Sequence, residues 1–238
     1  YKTFFNRDGS SGEIDSRVFQ LQQGRLRQMV IWDLVRGAEF KKVADNFGVV
    51  AMSAADEAAY GIRAFTERFY TVVLGRYPDP VGFDGWVAGL TGGTLSGGDL
   101  ASGFFLSPEY TNKQKSDSAF LDDGYQAYFD RAADAGGKQG WLDALAQGMT
   151  RTEVLDGFSG SQEFIALAES YGIRPFAGYE SARVAAESYG IRPFAGYESA
   201  RVAREADGIP IPVFPIPLFM LFVGMLGWLG LSRFRLGS

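Results

Sequence analysis

Residues 65–110 read FTERFYTVVLGRYPDPVGFDGWVAGLTGGTLSGGDLASGFFLSPEY. Phe69, Val72 and Val73 recur at i, i+3 and i+4, the period of one helix face. Pro78 and Pro80 stop that helix, and Asp79 stands at a position from which its carboxylate can cap the next one. Phe83, Trp86, Val87 and Leu90 form a second apolar stripe, ended by Gly92-Gly93. Ser96 then opens a third helix carrying Leu100, Phe104 and Phe105. Ser107-Pro108-Glu109 restarts the chain with Ser at the cap and Pro at the first helical position. The whole stretch predicts short helices joined by turns.

The same order of signals flanks it on both sides. Arg76 leads through Trp86 to Gly93, and Arg131 leads through Trp141 to Gly148 at the same spacing. Arg7 leads to Gly24 at that distance, with Arg17 in place of the Trp. Tyr1, Tyr70 and Tyr125 each stand six residues before the arginine. Glu39-Phe40, Glu109-Tyr110 and Glu163-Phe164 close the units. Three copies are therefore expected, the first opening inside its own first helix, so that an upstream segment carrying any leader is expected too. The third copy repeats the plan over Phe120–Phe129, Gly140–Ala146 and Thr150–Phe158, with Thr150 and Glu153 as a capping box.

The wording FYTVVLGRYPDPVGFDGWVAGL followed by FFLSPEY resembles a bacterial family of domains of unknown function, number 4214. The resemblance covers residues 1–49, 65–118 and 120–168. The middle copy is close. Copy one carries Asn-Arg-Asp-Gly at the turn, and copy three lacks its Pro. The family is itself similar to the linker domain of phycobilisome rods. The resemblance implies small helical modules in exported or surface proteins, with no activity attached.

Composition narrows the chemistry. The chain has 238 residues, a net charge of −5, no cysteine and no histidine. Disulfides and thiol catalysis are excluded, and the usual general base and zinc ligand are missing together. No basic block offers a nucleic-acid footprint, and no cofactor is implied. Modules of about fifty residues are marginal alone and gain stability by stacking.

Individual residues invite sharper readings, each set against a plainer one. Asn6, Asp8 and Ser10 alternate like calcium ligands, but Ser11 and Arg17 stand where an EF-hand needs Gly and Glu. A turn with a helix cap is the expected role. Trp86 and Trp141 could stack on sugars. Their helical spacing with Leu90 and Leu145 makes them core anchors instead, together with Phe69 and Phe104. Arg76 with Asp79, and Arg131 with Asp134, could bind a ligand, but read first as local ion pairs or as brackets for the turn. Asp122-Asp123 and Glu153 with Asp156 are the obvious carboxylate clusters, and they are expected on solvated faces.

Beyond the modules, residues 168–185 read AESYGIRPFAGYESARVA and residues 186–203 repeat them letter for letter. Tyr171-Gly172-Ile173-Arg174 also repeats Tyr60-Gly61-Ile62-Arg63. This points to an inter-module joint copied twice, either as a spacer or as slippage without a role. From Gly208 to Ser232 no residue is charged. Pro210, Pro212, Pro215 and Pro217 favour an extended approach. Leu218, Phe219, Leu221, Phe222, Val223, Leu226, Leu229 and Leu231 then build a membrane helix, followed by the basic Arg233 and Arg235. The positive-inside rule places that end in the cytoplasm. Prolines, apolar helix and terminal arginines together are similar to bacterial sorting signals of the PEP-CTERM type, though no literal Pro-Glu-Pro occurs. That resemblance implies an exosortase-type membrane peptidase as processing partner.

The expected architecture is all-α. Module one spans 1–49, a joint 50–64, module two 65–118 and module three 119–167. A spacer over 168–203, a proline-rich approach over 204–217, a transmembrane or sorting helix over 218–232 and a cytoplasmic tail over 233–238 follow. The expected function is non-enzymatic: an exported surface or matrix protein, its precursor anchored in the inner membrane, contacting other surface proteins or polysaccharide. The competing expectations are an attachment region for a secreted enzyme encoded upstream, or a calcium- or glycan-binding module.

Overall fold

A computed structural model describes residues 1–179. Every regular element among them is a helix. They fall into three groups of four. The first holds α1 (Lys2–Phe5), α2 (Ser11–Gln22), α3 (Arg27–Arg36) and α4 (Ala38–Asn46). The second holds α5 (Ala54–Phe69), α6 (Pro80–Thr91), α7 (Gly97–Phe105) and α8 (Pro108–Thr111). The third holds α9 (Asp117–Phe129), α10 (Ala135–Ala146), α11 (Arg151–Ser159) and α12 (Gln162–Ser170).

Local chemistry sets the elements in all three groups. The opening helix ends on a left-handed residue: Asn6 at φ 53°, Gly75 at 72° and Asp130 at 56°. An arginine follows, then a side-chain cap from Ser10, Asp79 or Asp134 onto the amide three residues on. Each of the helices so started, α2, α6 and α10, is 12 residues long. Each is followed by a glycine at positive φ, namely Gly24, Gly93 or Gly148. Ser96 with Asp99, and Thr150 with Glu153, then form capping boxes that start α7 and α11. Leu26, which precedes α3, has no such side-chain bond.

The second group opens earlier than its apolar stripe suggests. Ser53 and Asp56 make a capping box that starts α5 at Ala54. The helix then runs without a break past Gly61 and on into a π-helical turn over Tyr70–Leu74. Residues 54–64 are thus the first half of the opening helix rather than a joint. In the π turn the Thr71 hydroxyl bonds the carbonyls of Glu67 and Arg68, inserting into the helical ladder. Lys113 caps the far end, donating to the Val73 and Leu74 carbonyls at 3.2 and 2.7 Å.

The second and third groups share one aromatic core. Tyr128 is fully buried there. Its ring centroid lies 4.8 Å from Phe164, 5.4 Å from Phe158 and 6.0 Å from Phe69. Phe69 in turn meets Phe104 at 5.9 Å. Phe69, Leu90, Phe104 and Trp141 are buried, whereas Trp86 and Leu145 are half-buried. Each tryptophan packs on the phenylalanine of the third helix, Trp86 on Phe104 at 5.4 Å and Trp141 on Phe158 at 5.3 Å.

Residues 171–179 correct the expectation of a spacer for the start of the duplicated segment. Ile173, Pro175 and Tyr179 are buried. Gly172 at φ 70° ends α12, with the Ile173 amide donating to the Ala168 carbonyl. The chain then lies across the start of α7. It is held by its apolar side chains, which a solvated linker would leave in water. The second eighteen-residue unit, the prolines 210, 212, 215 and 217, the apolar run and Arg233 and Arg235 all lie outside the described residues. No helix among the described residues is long and apolar enough to cross a membrane.

Candidate functional site

The arrangement that recurs in all three groups is an arginine clamp. Arg76 grips Glu109 with two parallel bonds, Nε to Oε1 at 2.6 Å and Nη2 to Oε2 at 2.8 Å. Arg131 grips Glu163 in the same way at 2.6 and 2.9 Å. Arg7 grips Glu39 at 2.5 and 2.7 Å. In each case the third guanidinium nitrogen donates to the next residue's carbonyl, that of Asp8, Tyr77 or Ala132. The guanidinium also lies 5.1–5.4 Å from the ring centre of the tyrosine six residues back, Tyr1, Tyr70 or Tyr125. One planar cation thus ties the opening helix, the turn and the last helix of its group.

The local pairs expected from sequence are present, but the glutamate clamp is the closer contact. Asp79 and Asp134 stand at 3.8 and 3.5 Å from their arginines, secondary to the two-pronged glutamates. Their main role is capping: Asp79 accepts from the Gly82 amide at 2.8 Å and Asp134 from the Gly137 amide at 2.7 Å. In the first group Ser10 replaces this aspartate, and the second carboxylate moves three residues on. Glu13 bonds Arg7 at 2.8 and 3.0 Å. The glycines at that position in the other groups are sterically required. A Cβ at Gly82 would come within 2.7 Å of the Tyr70 hydroxyl, and one at Gly137 within 2.6 Å of the Tyr125 hydroxyl.

Electrostatics follow the geometry. The Arg7 guanidinium, with the Ser10 amide and hydroxyl, holds Glu13 down at about 2. Arg7 likewise lowers Glu39, and Arg76 lowers Glu109. Burial pushes the Tyr125 hydroxyl up to about 12. A second network links the first group to the second. Burial opposes the charge of Arg25, but two bonds to Glu67 and one to Asp33 outweigh it and raise its pKa. Asp33 also accepts from the Tyr60 hydroxyl at 2.9 Å and from Arg17 at 3.3 Å.

The other candidates have structural partners. Asp8 pairs with Lys2 at 3.3 Å, and Asn6 ends α1 in the left-handed region. Ser10 caps α2. Among the described residues no three acidic, histidine or cysteine side chains converge as a metal site. Asp122 pairs with Lys138, while Asp123 turns to Lys115 and the Tyr110 hydroxyl. Glu153 accepts from the Thr150 amide and hydroxyl, and Asp156 is exposed.

Sequence reasoning marked both ends of the clamp as fixed points of the repeat, yet missed that they touch. The available signal was their constant separation, 32 or 33 residues.

These observations define an all-α repeat protein whose helix groups are each closed by an arginine–glutamate clamp. The chain belongs to the family described as Domain of unknown function (DUF4214), which matches residues 50–114 and 101–168. The first match takes in the whole of α5. No curated protein and no solved structure matches the chain.

Proposed function

We propose that this chain is an exported bacterial scaffold: a stack of helical modules that assembles a surface or matrix layer, held or sorted through its C-terminal apolar run. The observation that carries the reading is the clamp. It has the same geometry in all three helix groups, including the first, which lacks the tryptophan and the capping aspartate of the other two. Strong ionisable groups at these positions fix the frame of each module and leave the outer faces free to vary, as an assembly or adhesion protein requires. Residues 1–49 are then a third, diverged module, in which Glu13 stands in for the missing aspartate.

The proposal extends to the tail. Residues 209–231 insert in the membrane with Arg233 and Arg235 inside, driven by the leucines, phenylalanines and valine of the run, each contributing about −0.3 to −0.6 kcal/mol at the membrane centre. The prolines before it mark the place where an exosortase-type peptidase cuts. Outside the membrane, the modules meet other surface proteins or polysaccharide. Mass spectrometry of the protein from the cells that make it tests this. A mature form ending between Ile209 and Pro217 supports sorting; a mature pool ending at Ser238 in the membrane leaves a plain anchor. A soluble, full-length product would remove both.

A further inference from the structure

Residues Tyr171–Pro175 pack in a groove over the start of α7. The Gly97 amide donates to the Arg174 carbonyl and the Gly98 amide to the Pro175 carbonyl, both at 2.8 Å. Glycine at both positions leaves room for this close approach. A Cβ on Gly97 would press on Phe164 at 3.1 Å, and one on Gly98 would lie 3.3 Å from the Pro175 carbonyl oxygen. Ile173 packs beside Gly97 and is 4% exposed. Tyr171 lies 5.6 Å from the Phe65 ring, with its carbonyl against Gly61. The corresponding positions in the other groups are Arg27-Gln28 and Arg151-Thr152, so the glycine pair belongs to the second group alone.

The occupant, Tyr171–Pro175, is Tyr-Gly-Ile-Arg-Pro. Tyr189–Pro193 is the same pentapeptide within the identical second unit. We propose that this groove is a peptide site with two interchangeable occupants in one chain, Tyr171–Pro175 and Tyr189–Pro193. The two pentapeptides carry the same side chains and backbone groups in the same order. They differ in one respect: docking the second unit leaves eighteen residues looped out between Ser170 and Tyr189. Loop-closure entropy rises only slowly with length, so such a loop disfavours the second occupant without forbidding it. The first unit holds the groove in the intact protein, and the second takes it when the first is weakened or displaced. The exchange moves the point where the downstream chain leaves the modules by eighteen residues, roughly 60 Å of extended chain.

Hydrogen exchange of the full chain at the Gly97 and Gly98 amides reads the groove directly. Ile173→Asp should leave both amides protected to within about tenfold to thirtyfold of the wild type, because Ile191 substitutes. Ile191→Asp should change nothing. The double variant Ile173→Asp/Ile191→Asp should lose protection by a further hundredfold or so while its helical circular dichroism persists. Ile173→Ala and Ile173→Ala/Ile191→Ala repeat the comparison if an aspartate prevents folding. Loss of protection in the first single variant equal to that in the double variant would overturn the proposal. So would unchanged protection in the double variant.

Discussion

Arg76 shows what one side chain does in this protein: it grips Glu109, bonds the Tyr77 carbonyl and covers the Tyr70 ring. The pair is too exposed to be a large source of stability, and such pairs contribute about 0–1 kcal/mol. Its value is geometric, since only a planar fork can meet both carboxylate oxygens. Arg131→Lys should therefore cost about 1 kcal/mol in urea unfolding although the charge is kept. Glu13, Glu39 and Glu109 sit below their ordinary values, Glu13 at about 2. Lowered folded-state values mean stability that is complete above the unfolded value, near 4.3, and is lost as pH falls through the folded ones. Thermal midpoints should thus be flat from about pH 7 to 5 and decline between about pH 5 and 2. Glu109→Gln should soften that decline, and an unaltered profile would remove the clamp from the account. Gly137→Ala tests the fit beneath the clamp. Its Cβ would meet the Tyr125 hydroxyl at 2.6 Å, a crowding cost that should exceed the helical preference of alanine and leave a net loss of about 1–2 kcal/mol. Tyr125→Phe in the same chain should restore it, because it removes the oxygen that the Cβ would meet.

At the scale of the element, the sequence is most readable where structure is local. Asp79 before α6, Ser96 before α7 and the Thr150–Glu153 box before α11 are caps within a few residues of what they cap. The continuity of α5 through Gly61 was not readable, and what suits a glycine to that position is distant: the Tyr171 carbonyl lies 3.1 Å from where a Cβ would be. The same four residues, Tyr-Gly-Ile-Arg, are helical at 60–63 and form a turn and an irregular segment at 171–174. Tertiary contacts decide between the two, not the letters. The clamp was half readable for the same reason, both ends being visible but not their contact across more than thirty residues. Trp141→Ala should cost about 3–5 kcal/mol, as buried aromatics do, and half-buried Trp86→Ala less. Calorimetry on both variants checks the order; equal losses would contradict the difference in burial. Deleting residues 186–203 should leave the melting transition where it is, since the first unit still fills the groove.

Over the whole molecule, two different joints connect the groups. Between the second and third the joint is apolar, the aromatic cluster around Tyr128. Between the first and second it includes the Arg25–Asp33–Glu67 network, whose arginine is only 11% exposed. Removing that cation would strand the buried Glu67 carboxylate and leave Asp33 to Arg17 and Tyr60, so Arg25→Met should cost about 3–5 kcal/mol. A loss under about 1 kcal/mol in urea unfolding would mean that water reaches the network freely. The all-α frame and its repeats were readable from periodicity and spacing. The ionic joint was not, because Arg25 and Asp33 stand in the first group, Glu67 in the second, and none belongs to a motif. The proposed role depends on where this frame sits. The most direct measurement is protease shaving of intact cells that make the protein, with the released peptides identified by mass spectrometry. An exported scaffold predicts peptides from residues 1–179 released without lysis. Their release only after the cells are broken would contradict it.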